Sequence, residues 1–103
     1  MTDILLFKKK CALAIVSIDD YREKIIFFNH KKELVEIPVR MIFTNFDNRK
    51  SGAILIASDE EILSSHVIEE FRRLNHERRR ISYYAIARVF QEFECAEGIK
   101  AFI

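Results

Sequence analysis

The sequence predicts an α+β domain: an antiparallel sheet or partly closed barrel of about five strands over residues 4–57, covered by one capped helix over 58–75 and a second helix over 82–94. Short runs rich in Ile, Val and Phe fill the first half of the chain. The hydrophobic period then changes from two to 3.6 residues at Ser58. With 103 residues, half of them hydrophobic, residues 1–103 can form one core and are too few for two, so a single domain is expected.

The predicted strands are separated by polar segments at 19–23, 29–33 and 47–51, whose lengths suit hairpin connections. An antiparallel meander is therefore the simplest arrangement. Pro38 interrupts one run, and because proline donates nothing to a β-ladder, residues 34–46 are predicted to be an edge strand or two strands that meet at a bend. The predicted strands are 4–7, 11–18, 25–28, 34–39, 41–46 and 52–57.

A capping box marks the start of the first predicted helix. Ser58 occupies the N-cap and Glu61 follows three residues later, a pair that satisfies the free amide groups of a helix start. Asn75 is expected to end the helix. Apolar side chains then recur on one face, so the helix should lie across the sheet. The apolar face is formed by Ile62, Leu63, Val67, Phe71 and Leu74, and the polar face by Ser64, Ser65, Glu69, Arg72 and Arg73.

Residues 81–94 fit both a helical stripe and the alternation of a strand. The helix is the preferred interpretation, because Ser82 can cap it and alanines within the segment favour it. The strand alternative would add an edge to the sheet. Gly98 is expected to stop the helix, and residues 99–103 are predicted to return as a short strand.

Net charge and cysteine content limit the expected partners and cellular compartment. Seventeen basic and sixteen acidic residues give a net charge of +1, so no overall field draws the chain to nucleic acid or to a membrane. Cys11 and Cys95 are interpreted as reduced core residues. The basic and apolar residues 8–18 lack the cleavage site of a secretory signal, and no apolar stretch is long enough to cross a bilayer. A soluble cytoplasmic protein is expected.

The motifs of common enzymes are absent from the sequence. Two glycines cannot form a glycine-rich phosphate loop. His30, His66 and His76 lack the spacing of metal ligands. The serines next to His66 point in other directions on a helix, and Cys95 lies among acids that disfavour its thiolate. No catalytic residue, metal or cofactor is predicted, and the chain is not expected to be an enzyme.

One segment, residues 71–84, has an unusual composition: five arginines and one glutamate give it a local charge of +4. Arginine binds carboxylates and phosphates bidentately, and tyrosine can stack on unpaired bases. Part of this charge suits the helix macrodipole, and an arginine run in a connection is as often a solvated turn as a binding site. The predicted partner-binding residues are Arg72, Arg73, His76, Arg78, Arg79, Arg80, Tyr83 and Tyr84.

These features predict a small binding or regulatory module that contacts another protein, with the arginine-rich connection on an acidic surface of that partner. Nine phenylalanines and three tyrosines exceed what a small sheet buries, so a homodimer is also expected. The alternative is an RNA- or DNA-binding protein that uses the same segment in a helix-turn-helix-like unit. A small enzyme is the third possibility, which a pocket that gathers His66, Cys95 or paired carboxylates would indicate.

Overall fold

The computed structural model describes the backbone of residues 2–46 and 50–101 and the side chains of 2–43 and 52–96. Within these residues it confirms the α+β class and a curled, partly closed sheet. The strands are β1 (Thr2–Lys8), β2 (Cys11–Ile18), β3 (Lys24–Phe28), β4 (Leu34–Phe46), β5 (Lys50–Ala57) and β6 (Arg80–Ser82), and the helices are α1 (Ser64–Glu77) and α2 (Ile86–Ala101), the second preceded by a 3₁₀ turn at Tyr83–Ala85.

The strands form one sheet in the order β3-β4-β5-β1-β2-β6. The β1/β2, β3/β4 and β4/β5 pairs are antiparallel, whereas β5 lies parallel to β1 and β6 parallel to β2. The prediction of a purely antiparallel sheet is therefore wrong, and the described sheet has six strands rather than about five. A local run of apolar residues indicates that a strand forms, but it does not show which strand lies beside it.

β4 is a single strand of 13 residues that changes partner at Pro38. Residues 34–38 pair with β3, and residues 39–46 pair with β5. The carbonyl of Pro38 accepts a hydrogen bond from the Ser58 amide at 3.2 Å. The structure thus differs from both predicted alternatives, because one continuous strand serves two neighbours and its proline lies at the change of partner. Residues 47–49 of the predicted connection lie outside the described residues.

The curled sheet has an inner face covered by α2 and an outer face covered by α1. Ile86, Val89 and Phe90 of α2 belong to the inner core, and Val67 and Leu74 of α1 belong to the outer core. Each face of a sheet needs such a covering because side chains alternate between the two faces. The strand residues of the inner core include Ile4, Leu6, Val16, Ile25, Phe27 and Ile37, and those of the outer core include Leu5, Phe7, Ile15, Ile54 and Ile56.

The first helix differs from the prediction at both ends. The Ser58 hydroxyl accepts from the Glu60 amide at 3.1 Å and donates to the Glu60 carbonyl at 2.8 Å, so the predicted capping box is a tight turn. The N-cap is Leu63, which is exposed rather than buried. At the other end α1 continues two residues past Asn75, and Arg78 ends it in the left-handed conformation (φ 56°, ψ 37°) that is common after helices.

The second helix is confirmed over most of its predicted range, and the strand alternative holds only for β6. The expected stop at Gly98 is wrong, because α2 passes through it to Ala101. A glycine costs a helix only about 1 kcal/mol relative to alanine, which does not outweigh the packing of the rest of α2. Residues 99–101 are therefore helical rather than a strand, and residues 102–103 lie outside the described chain. No helix in the part of the chain that is described is long and apolar enough to cross a membrane.

Candidate functional site

The arginine-rich segment 71–84 runs from the end of α1 through its C-terminal turn into β6 and the 3₁₀ turn. It lies along β2, which three of its arginines contact. Two groups of side chains can be separated by what they bind. Bonds within the chain are made by the side chains of Arg73, Arg79, Arg80 and Tyr83, whereas those of Arg78 and Tyr84 face solvent.

Arg73 and Arg79 bind the edge of β2. The β1/β2 register shifts between Leu6 and Phe7, which leaves Leu13 as the extra residue of a β-bulge. β6 pairs with β2 only further along the strand. The carbonyls near the bulge are satisfied by guanidinium groups instead: Arg73 Nη2 donates to the Ala12 carbonyl at 2.5 Å, and Arg79 Nε donates to the Leu13 carbonyl at 3.0 Å. These two arginines therefore complete the sheet edge.

Arg73 is also neutralised by acids of its own helix. Its Nη2 lies 2.5 Å from Glu70 Oε2, and its Nη1 lies 3.2 Å from Glu77 Oε2. The hydrogen bond to Glu70 raises the pKa of Arg73, and partial desolvation opposes this without cancelling it. The charge of Arg73 is therefore balanced within α1.

Arg80 is neutralised across the sheet. Its Nη1 lies 2.6 Å from Asp3 Oδ2 and donates to Ser17 Oγ at 3.2 Å, while Ser17 Oγ donates to Asp3 Oδ1 at 3.0 Å. Partial burial acts to raise the pKa of Asp3, but the hydrogen bonds from Arg80 and Ser17 outweigh it, and the pKa lies below its ordinary value. This triangle ties β6 to β1 and β2.

Tyr83 joins the two ends of the curled sheet. It follows β6, yet its hydroxyl accepts a hydrogen bond from the Ile26 amide at 3.0 Å and donates one to the Ile26 carbonyl. Ile26 lies on β3, the strand at the opposite edge of the sheet. The guanidinium of Arg22 lies 4.9 Å from the centre of the Tyr83 ring. Tyr83 is thus the bridge that closes the curl, a role that the sequence pattern did not indicate.

Arg78 and Tyr84 remain directed to solvent. Arg78 is exposed at the end of α1, and no acidic side chain in the described part of the chain pairs with it. Tyr84 is 93% exposed, and its ring is nearly perpendicular to the Tyr83 ring with 6.5 Å between centroids. Arg72 and His76 are exposed on α1. The partner-binding role of these residues stays a prediction.

The helix-turn-helix-like unit of the alternative hypothesis is not formed. α1 and α2 pack on opposite faces of the sheet, and β6 with the 3₁₀ turn lies between them in the chain. Two helices separated by a sheet cannot present one as the recognition helix supported by the other.

A cavity of about 210 Å³ opens between the sheet and α2. Its floor is apolar and includes Phe27 and Phe90, and its rim carries Lys8, His30 and Glu94. Lys8 Nζ lies 2.5 Å from Glu94 Oε1, and His30 Nδ1 lies 3.9 Å from Glu94 Oε2. The hydrogen bond from Lys8 lowers the pKa of Glu94, against a smaller opposing effect of desolvation. Sequence reasoning missed this trio because its members come from distant parts of the chain.

Of the residues that would have indicated an enzyme, His66 and Cys95 lie apart from this cavity, whereas the adjacent acids Asp59 and Glu60 line it. His66 Nε2 lies 2.7 Å from the Lys10 carbonyl, and Cys95 is exposed on α2. Cys11 is partly buried beside the inner core, so the interpretation as a core cysteine holds for Cys11 and is wrong for Cys95. No group of His, Cys, Asp and Glu within the described residues could hold a metal ion.

Comparisons with models of protein families, with curated proteins and with solved structures found no match. The function of the chain is therefore inferred from its own residues.

Proposed function

We propose that this chain is a non-enzymatic binding module that docks on an acidic surface of another protein through Arg78 and Tyr84. The observation that supports this is the division within the arginine-rich segment. Arg73 and Arg80 have their charges balanced by acids of the chain, whereas Arg78 keeps an unbalanced charge and Tyr84 keeps an exposed ring. These ion pairs give Arg73 and Arg80 a structural role. They do not explain why Arg78 and Tyr84 are exposed.

The chemistry of the pair suits a protein contact. Arginine and tyrosine are the residue types that most often dominate the binding energy of protein interfaces. The backbone at Arg78 is held by a hydrogen bond from its amide to the Asn75 carbonyl at 3.2 Å, and the next amide bonds to the Leu74 carbonyl. Tyr84 is the middle residue of the 3₁₀ turn Tyr83–Ala85, so its backbone is also ordered. Because the supporting backbone is already ordered, binding costs little further backbone entropy.

Charge makes an acidic protein surface the preferred ligand. Arg79 lies next to Arg78 and is exposed, and the only hydrogen bond described for its side chain goes to an uncharged carbonyl, so it adds a second positive charge. The whole chain carries only +1, which is too little for the field that draws proteins to nucleic acid. We place the module in a reducing cytoplasm, where Cys11 and Cys95 persist as free thiols.

The proposal is tested with Arg78→Glu and Tyr84→Ala. Tagged wild-type chain and both variants are used to capture partners from the native cell extract after nuclease treatment. We expect an acidic protein that the wild type retains and both variants lose, at unchanged thermal stability. The matched control is Arg88→Glu, the same charge change on an exposed arginine of α2. Equal retention of that protein by Arg78→Glu and the wild type would refute the proposal.

A single-stranded nucleic acid is the competing ligand, since the exposed ring of Tyr84 could stack on a base. Labelled single-stranded RNA and DNA oligonucleotides can be titrated with the chain at several salt concentrations. Binding to nucleic acid weakens steeply and linearly on a log-log plot against salt. Such binding, lost in Tyr84→Ala, would replace the protein partner with nucleic acid.

A further inference from the structure

The outer side of the β3–β4 hairpin exposes a row of apolar side chains. Across the two strands Phe28 lies opposite Leu34, and Ile26 lies opposite Glu36. Phe28 is 64% exposed, Leu34 56% and Ile26 38%. The alternate residues of β3, Ile25 and Phe27, point into the inner core. We call this outward row the hairpin face; it comprises Lys24, Ile26, Phe28, Leu34, Glu36 and Pro38.

The hairpin face is uncovered because α1 lies over the other half of the sheet. The described outer core, into which α1 packs, draws its strand residues from β1, β2, β5 and Ile42 of β4, and none from β3. An apolar row of this kind on a monomer commonly marks an interaction site.

A partner strand cannot simply hydrogen-bond to the outer edge of β3. The outward backbone groups of Ile26 already bond to the hydroxyl of Tyr83. A partner must therefore lie against the face of the hairpin, where the side chains are, and not along its edge.

The charges of the hairpin face favour a second copy of this chain as the partner. Lys24 Nζ lies 3.4 Å from Glu36 Oε2, and about half of each side chain is exposed. In a two-fold dimer each contact occurs twice with the roles exchanged. Lys24 of one copy can then oppose Glu36 of the second copy, and Glu36 can oppose Lys24. The arginine-rich segment carries mainly one sign of charge and would repel its own copy.

We infer that two copies of this chain associate through the hairpin face, with Phe28 and Leu34 at the centre and Lys24 and Glu36 paired between copies. This inference names the surface of the expected homodimer. It uses other residues than the proposed docking through Arg78 and Tyr84, neither of which belongs to the hairpin face.

The first test measures the mass of the full chain by sedimentation equilibrium. We expect the wild type to have twice the 12.2 kDa mass of one chain at high concentration. Phe28→Asp should weaken the dimer at least about tenfold in Kd, equivalent to about 1.4 kcal/mol. The matched control is Phe43→Asp, since Phe43 is 77% exposed on the other face of the sheet. A monomeric wild type, or a Phe28→Asp chain as dimeric as the control, would overturn the inference.

The second test uses charge. Lys24→Glu leaves the hairpin face with two acids, and Glu36→Lys leaves it with two bases. We expect each variant alone to dissociate at least about tenfold more readily than the wild type, and an equimolar mixture to recover the dimer mass. Recovery cannot come from the Lys24–Glu36 pair within one chain, because both chains of the mixture lack it. Without recovery in the mixture, the proposed pairing between copies is wrong, whatever the result with Arg78→Glu.

Discussion

Replacement of Tyr83 by phenylalanine tests whether one hydroxyl closes the curled sheet. The substitution keeps the ring, which packs beside the inner core, and removes only the oxygen that bonds to the amide and the carbonyl of Ile26. A hydrogen bond contributes about 0.5–1.5 kcal/mol net. Two are lost, but the freed groups lie at a sheet edge where water can reach them. We therefore expect a loss of about 1–2 kcal/mol in the free energy of unfolding.

The assay combines urea denaturation with hydrogen exchange. In a chain of this size each kcal/mol lowers the melting temperature by roughly 4–8 °C, which circular dichroism resolves easily. The amide of Ile26 should also exchange faster in Tyr83→Phe, because its partner is gone. The matched control is Tyr84→Phe, whose ring is exposed and whose stability should change by less than about 0.5 kcal/mol. If Tyr83→Phe is as stable as Tyr84→Phe and its Ile26 amide stays protected from exchange, the Tyr83 hydroxyl does not close the sheet.

Two further predictions concern Arg73 and Glu94. Arg73→Ala should lower the free energy of unfolding by about 1–3 kcal/mol, because it leaves the Ala12 carbonyl near the β2 bulge without its donor. Arg78→Ala should stay within about 0.5 kcal/mol of the wild type, and urea denaturation measures both variants. Because the folded pKa of Glu94 is depressed, its pair with Lys8 stabilises the chain above about pH 4.3, the ordinary glutamate pKa, and this stability is lost as the pH falls through the folded pKa. An NMR titration of the Glu94 carboxyl in Lys8→Met should show its pKa moving back up, and an unmoved pKa would contradict the assignment.

Most of the segments that form strands and helices could be predicted from the residue pattern. Short runs rich in Ile, Val and Phe mark the strands, and apolar residues of the helices recur about every 3.6 positions, so the class, most strand ranges and the existence of two helices could be predicted. These are local properties, and they are visible along the chain. Element ends were less certain: the hydroxyl of Ser58 does bind an amide, but in a turn, and Gly98 is tolerated inside α2.

Two features depend on the folded chain: which strands are neighbours, and which groups the arginine side chains bind. Parallel pairing of β5 with β1 depends on a contact between distant residues, which no local period encodes. The same holds for Arg73, Arg79 and Tyr83: their residue types suit a partner, yet each of these side chains bonds to a backbone group of this chain. A side chain binds whatever unsatisfied group folding brings within reach, and only the folded chain shows which groups those are.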